Sequence, residues 1–208
     1  MRTVLAVALV VAVHAARGQE LVPRVSDAPD IAPRATAFGA VVELRNDFGF
    51  TPLVGVHFLD GRRASLTVNG GTALALGVSF LPLAGGRLGT RVTAGAKGQL
   101  LWASNGSAGF TAFPIELLEF AYAGPLRVGA GGSLLLGPRL RGSGLFEGAG
   151  HGFQSAPSAV AEAEWIVSPR TRTGIGARAS WTWLSRGGVT VSGPSVGLVL
   201  RADLDVTG

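Results

Sequence analysis

The stretch TRTGIGARASWTW, residues 171–183, sets Thr171, Thr173, Ile175, Ala177, Ala179, Trp181 and Trp183 on odd positions and Arg172, Gly174, Gly176, Arg178, Ser180 and Thr182 on even ones. Apolar and small hydroxyl side chains therefore alternate with Arg, Gly, Ser and Thr. A period of two over this length describes a long β-strand with one apolar and one polar face. Moving outward from it, the same alternation predicts eight strands: Thr36 to Arg45, Gly71 to Leu83, Arg87 to Trp102, Gly109 to Tyr122, Pro125 to Gly137, Pro157 to Val167, Thr171 to Leu184 and Pro194 to Asp203. Most exceed the ~9 to 11 residues that a tilted strand needs to cross a bilayer. The expected fold is all-β, a closed antiparallel up-and-down transmembrane barrel of eight strands, with ten as the alternative.

Composition agrees with that class. The chain has 32 Gly and 11 Pro in 208 residues, only 15% charged residues, and a mean hydropathy of +0.39. No run of eighteen apolar residues occurs, so the apolar content is not carried by membrane-spanning helices. Alternating strands in a closed barrel are the other way to satisfy the backbone in lipid. There is no Cys, which excludes disulfides, a lipoprotein anchor and thiolate metal sites.

Residues 1–18 read as a cleaved export signal: Arg2, then the apolar run Val4 to Val13, then the small residues flanking Arg17 in Ala16-Arg17-Gly18. Losing Arg2 and Arg17 lowers the formal charge from +5 to +3. With Arg spread along the strands, the basic excess does not make a nucleic-acid surface. Residues 19–35, with Pro23, Pro29 and Pro33, lack periodicity and read as a flexible periplasmic leader, and residues 36–208 as the barrel.

The connections test this independently, because membrane barrels alternate short inner turns with long outer loops. The links Asn46 to Gly70, Ala103 to Ala108, Pro138 to Ala156 and Ser185 to Gly193 read as long outer loops. Ala84 to Gly86, Ala123-Gly124 and Ser168 to Arg170 read as short periplasmic turns. The first outer link holds a hairpin signal of its own, Leu53 to Leu59 and Arg63 to Asn69 around Asp60-Gly61, expected to project as an external flap.

Aromatics distinguish a lipid-facing apolar side from the apolar lumen of a soluble barrel, since membrane barrels carry them in two interfacial girdles. Phe38, Phe80, Phe120, Tyr122 and Trp165 fall beside the predicted inner turns, and Trp102, Trp181 and Trp183 at the outer ends. The polar parity then lines the bore. It carries Glu43, Glu116, Glu119, Glu162, Glu164 and Asp203 against Arg45, Arg87, Arg91, Lys97, Arg127, Arg172, Arg178 and Arg201, provided a bulge between Leu117 and Leu118 turns both Glu116 and Glu119 inward. At eight strands the bore is only wide enough for side chains, so these charges are expected to pair across a sealed lumen.

Phe113-Pro114-Ile115-Glu116-Leu117-Leu118-Glu119-Phe120, with Pro125-Leu126-Arg127-Val128-Gly129-Ala130-Gly131 and Pro138-Arg139-Leu140, resembles a segment of uncharacterised small outer-membrane barrel proteins of Gram-negative bacteria. The resemblance implies an outer-membrane address and a scaffold pattern, not a reaction. Ser195 to Leu200 is similar to the polar-x-Gly insertion signal of such barrels, although Leu200 and Ala202 stand where aromatics are usual.

Candidate chemistry is sparse. Of the three His residues, His57 and His151 lie beyond the signal, both in predicted outer loops. His151 and Ser155 suggest a lipid A-modifying barrel enzyme, but a spacing of four in a Gly-rich loop does not hold a nucleophile within reach of its base. Glu162 and Glu164, two apart on one face, are better read as luminal ion-pair partners than as an acid-base pair. The expected role is structural or surface-interacting, without catalytic residue, cofactor or metal. The expected partners are outer-membrane lipids, lipopolysaccharide and the barrel-assembly machinery for a monomeric chain, with a narrow channel for small or apolar solutes as the alternative.

Overall fold

The computed structural model describes residues 38–57, 63–83, 88–103, 106–144, 146–148, 150–168 and 171–205. The predicted export signal, the whole leader and Arg87 lie outside the described residues. The strands are β1 (Phe38–Gly49), β2 (Pro52–His57), β3 (Arg63–Thr67), β4 (Gly71–Leu83), β5 (Leu88–Ala103), β6 (Gly106–Ala123), β7 (Leu126–Gly144), β8 (His151–Gly152), β9 (Ala156–Ser168), β10 (Thr173–Arg186) and β11 (Val189–Asp205).

Eight of these close a ring. β1, β4, β5, β6, β7, β9, β10 and β11 each pair antiparallel with the next, and β11 pairs back onto β1. Starting at Phe38, the registered partners run through Phe80, Thr90, Glu119, Ala130, Ala161, Ala179 and Val196, and return to β1 at Phe48, ten residues higher. Ten rises of ~3.3 Å against eight spacings of ~4.8 Å tilt the strands by about 40°. A ring of that size has a bore that side chains can fill. The end at which the chain enters β1 is called lower below, and the opposite end upper.

The ten-stranded alternative is not realised: β2 and β3 pair only with each other in a separate two-stranded sheet. Nor do all upper links form long loops. β5 and β6 continue until only residues 104–105 separate them, and β10 and β11 continue to a tight turn at Gly187 and Gly188. Both of these glycines have positive φ, 55° and 83°, as a two-residue hairpin turn requires. Strands that outrun the bilayer need no loop to join them.

β6 keeps one parity from end to end, without the expected bulge between Leu117 and Leu118. Ala112, Glu116, Leu118 and Phe120 are all buried, and the odd positions between them are exposed. The register shift falls instead on the facing strand, where Gly137 takes φ 53° and β7 continues with its parity changed.

Candidate functional site

The outer face of the ring is apolar. Phe38, Phe80 and Trp165 stand exposed near the lower rim, and Trp102, Trp181 and Trp183 near the upper. Between them the face presents residues such as Leu44, Leu74, Leu76, Leu117, Leu198 and Leu200, all exposed. Among the described residues the only acidic or basic side chain between the two aromatic levels is Glu119. It lies on outward parity beside Thr90, whose Oγ1 donates to its carboxylate at 2.9 Å.

Inside, the lower part of the bore is a packed ion-pair lattice. The buried charged residues among those described are Glu43, Asp47, Glu116, Glu162, Glu164 and Asp203 against Arg45, Arg91, Lys97, Arg127, Arg178 and Arg201, six acids and six bases. Every one of them is paired. Arg91 reaches Glu43 at 3.1 Å and Glu162 at 2.9 Å. Arg201 meets Glu164 at 2.8 Å and Asp203 at 3.1 Å. Arg127 meets Asp203 at 2.7 Å and also Glu164. Arg178 grips Glu116 with both terminal nitrogens, at 2.9 and 3.2 Å, and Arg45 joins Glu43 to Glu116. An unpaired charge here would carry a desolvation penalty of several kcal/mol, so the equal count is what keeps the lattice stable. The gap among Arg45, Asp47, Lys97, Glu116 and Arg178 is too small for a water molecule. Among the described side chains of β4 the inward ones, Ala73, Ala75, Gly77 and Ser79, are small, which leaves room for the long side chains of its neighbours.

An aromatic floor closes the lower end of this lattice. Phe120 is buried with Arg91, Arg201 and Arg127 at 4.6, 4.9 and 5.6 Å from its ring centre, and Arg127 is 5.8 Å from that of Tyr122. The negative face of the ring attracts the guanidinium groups while filling the space between them.

The upper part is different. Leu66 and Val68, at the end of the β2–β3 hairpin, are fully buried in a cluster with Leu101, Phe110, Leu135, Leu140 and Leu184. The root of the hairpin thus plugs the mouth, with Leu53, Val54 and Ala64 partly buried against the cluster, while residues 58–62, the tip of the expected external flap, lie outside the described residues. Asn69, at φ 56°, ties plug to lattice. Lys97 Nζ donates to its Oδ1 at 2.8 Å, to its carbonyl at 2.7 Å and to Asp47 at 2.6 Å. Asn69 Nδ2 donates to Ser180 at 2.6 Å and Ser195 at 3.1 Å.

The structure therefore brings together eleven of the residues expected in the luminal network: Glu43, Arg45, Arg91, Lys97, Glu116, Arg127, Glu162, Glu164, Arg178, Arg201 and Asp203. Two lie elsewhere. Glu119 faces outward because β6 has no bulge. Arg172 sits half-buried in the turn before β10 at φ 43°, with no ion pair among the described residues. Two expected girdle aromatics, Phe120 and Tyr122, point into the bore for the same reason as Glu119 points out, while Phe38, Phe80, Trp102, Trp165, Trp181 and Trp183 are on the outer face. Asp47 was hidden by ending the first strand at Arg45; the continuing alternation Glu43, Arg45, Asp47 is the signal for it. His151 opens β8, and its exposed ring meets the carbonyl of Gly150 through Nδ1 at 2.7 Å; Ser155 is exposed three residues after that strand.

No family model and no curated protein matches the sequence. Solved structures do match the fold. Ail, the attachment invasion locus protein of Yersinia pestis, superposes with a TM-score of 0.50 at 7% identity, over 82% of this chain and 99% of that one. Neisserial surface protein A gives 0.47 at 11% identity over 82% and 99%, and the N-terminal β-barrel domain of Pseudomonas aeruginosa OprF gives 0.40 at 8% over 82% and 98%. At these identities the likeness is one of architecture. The chain has the fold of small eight-stranded outer-membrane barrels.

Proposed function

We propose that this chain is an outer-membrane barrel protein with a structural or surface-interaction role, its lower end in the periplasm and its bore closed to solutes. The observation that carries this reading is the pairing of opposites: an apolar belt outside, whose one charge among the described residues is Glu119, and a charge-balanced, closely packed lattice inside. An apolar belt between two aromatic rings belongs in a bilayer, because amphipathic rings prefer the headgroup level. A bore blocked by both lattice and plug leaves no path for ions. Arg139 and Arg141, exposed on the upper extension of β7 on either side of buried Leu140, would meet the anionic groups of lipopolysaccharide there. A crystal structure of Ail contains the heparin analogue sucrose octasulfate, and a polyanion is the kind of partner that two such arginines could hold. The barrel-assembly machinery is the expected partner during insertion, and the folded chain is expected to be a monomer.

Three measurements test the reading. The protein should resist carbonate extraction from membranes and show heat-modifiable gel mobility; release into the carbonate supernatant would reject the membrane span. In planar bilayers the purified barrel should give no unitary conductance, and steady channel openings would reject the closed bore. Catalysis forms no part of the proposal. Substituting His151 and Ser155 by Ala should leave lipid A unchanged by mass spectrometry in cells that express the protein, and a modification lost with either substitution would revive the enzyme reading.

A further inference from the structure

Above Trp183 the wall of the barrel reverses its amphipathicity. Below this level β10 and β11 are apolar outward. In the extension beyond it the outward positions are Ser185, Thr190 and Ser192, with Ser185 and Thr190 hydroxyls 2.8 Å apart. The inward positions of the same extension are Leu184, Arg186, Val189 and Val191, paired Leu184 to Val191 and Arg186 to Val189. A hairpin standing above the membrane is expected to turn apolar groups inward only if something covers them. Leu184 is covered by the plug, but Val189 is 67% exposed and Val191 36%. Beside β10 in the same wall is Phe153, held by its own N–H on the carbonyl of Pro138 at 2.9 Å and by Gln154 N–H on the carbonyl of Ser185 at 2.9 Å. Over this inner surface opens a hollow of about 470 Å³ lined by Phe153, Leu184, Arg186, Gly187, Val189 and Val191.

We propose that this vestibule binds a single-chain amphiphile with an anionic head, of the chemical class of a free fatty acid. The volume falls in the range of small-ligand sites, ~300 to 1,000 Å³. Exposed apolar side chains on a concave surface with a single convergent charge are the usual form of such a site. Among the described residues the lining has one charged residue, Arg186, next to the tight Gly187-Gly188 turn at the lip, and no acid. The tail would lie on Val189, Val191 and Phe153 while the head meets the guanidinium, whose fork suits a carboxylate. Because the plug closes the bore beneath, the vestibule is a binding place rather than the entrance to a channel. The inference rests on the closed bore and membrane address of the proposed function, which conductance and carbonate extraction test separately from laurate binding.

The test uses the purified barrel in lipid nanodiscs, with empty nanodiscs as the reference and laurate as the probe in equilibrium dialysis. Laurate should bind saturably above the reference, at about one molecule per barrel for a site of this volume. Val191→Trp, which fills the cavity, should abolish that excess, with Val189→Phe as the second filling variant should the first lose heat-modifiable mobility. Arg186→Gln should weaken laurate about tenfold and leave the neutral analogue 1-dodecanol within about twofold, since only the carboxylate loses a charge-assisted hydrogen bond. No excess over empty nanodiscs overturns the proposal, as does laurate binding that survives both filling variants. An equal loss of laurate and 1-dodecanol in Arg186→Gln overturns the anionic head.

Discussion

The lower and upper parts of the bore solve one problem, filling a ring of fixed diameter, with opposite chemistry. The lower part uses long charged side chains from seven strands, made neutral by equal numbers of each sign. The upper part uses a hairpin that belongs to no wall, driven in by Leu66 and Val68. The lattice is stabilised by geometry and is unforgiving, since each charge depends on its partners. The plug is stabilised by apolar area and tolerates approximate fit. Asn69 is where the two meet, bonded to Lys97 on one side and to Ser180 and Ser195 on the other.

The sharpest way to break this comparison is within the lattice. Glu162→Leu strips a partner from Arg91, Arg178 and Arg201 together, and leaving buried cations short of counter-charge should cost about 3 to 5 kcal/mol, read from the urea midpoint of the folded barrel in detergent. A loss under about 1 kcal/mol would mean that water reaches the lattice. Next in size, Leu66→Ala in the plug should cost about 2 to 4 kcal/mol by the same assay, the range for truncating a fully buried leucine. Removing the junction with Asn69→Ala should cost about 1 to 3 kcal/mol, because two hydroxyls and a buried ammonium lose a partner and the new residue must still adopt positive φ. Smallest is Glu119→Leu on the outer face. It should shift stability by no more than about 1 kcal/mol, in the stabilising direction, as expected for a carboxylate near an interface. A larger loss would show that Glu119 faces inward after all.

These regions also differ in how far they could be read from sequence. A strand's period of two is set by backbone geometry, so all eight wall strands and most lattice residues were visible as alternating side chains. Which aromatics face lipid was harder. Phe120 and Tyr122 look like girdle residues by type, and an imagined bulge put them on the apolar side. The unbroken ladder between β5 and β6 keeps them inside, and three guanidiniums around Phe120 make an inward ring favourable. That compensation depends on residues far apart in the chain, which local pattern cannot reveal. The plug was illegible for a related reason. Leu53 to Asn69 announces a hairpin but says nothing about which surface will receive it, and the receiving cluster draws on β5, β6, β7, β9 and β10. Arg172 failed more simply: the alternation runs on through a turn whose backbone has already left the strand.

The pairing of β1 with β11 has a consequence for how the cylinder is completed. Glu43, Arg45 and Asp47 on β1 find their opposites mainly on β5, β6 and β10, across the bore rather than beside them in the sheet. Those partners converge only when the last seam is stitched. A half-zipped sheet would expose both ionic sets without mutual compensation, so joining the edges and cancelling the charges are one event. The chain therefore has little to gain from partial assembly, and insertion is expected to end in a single cooperative snap.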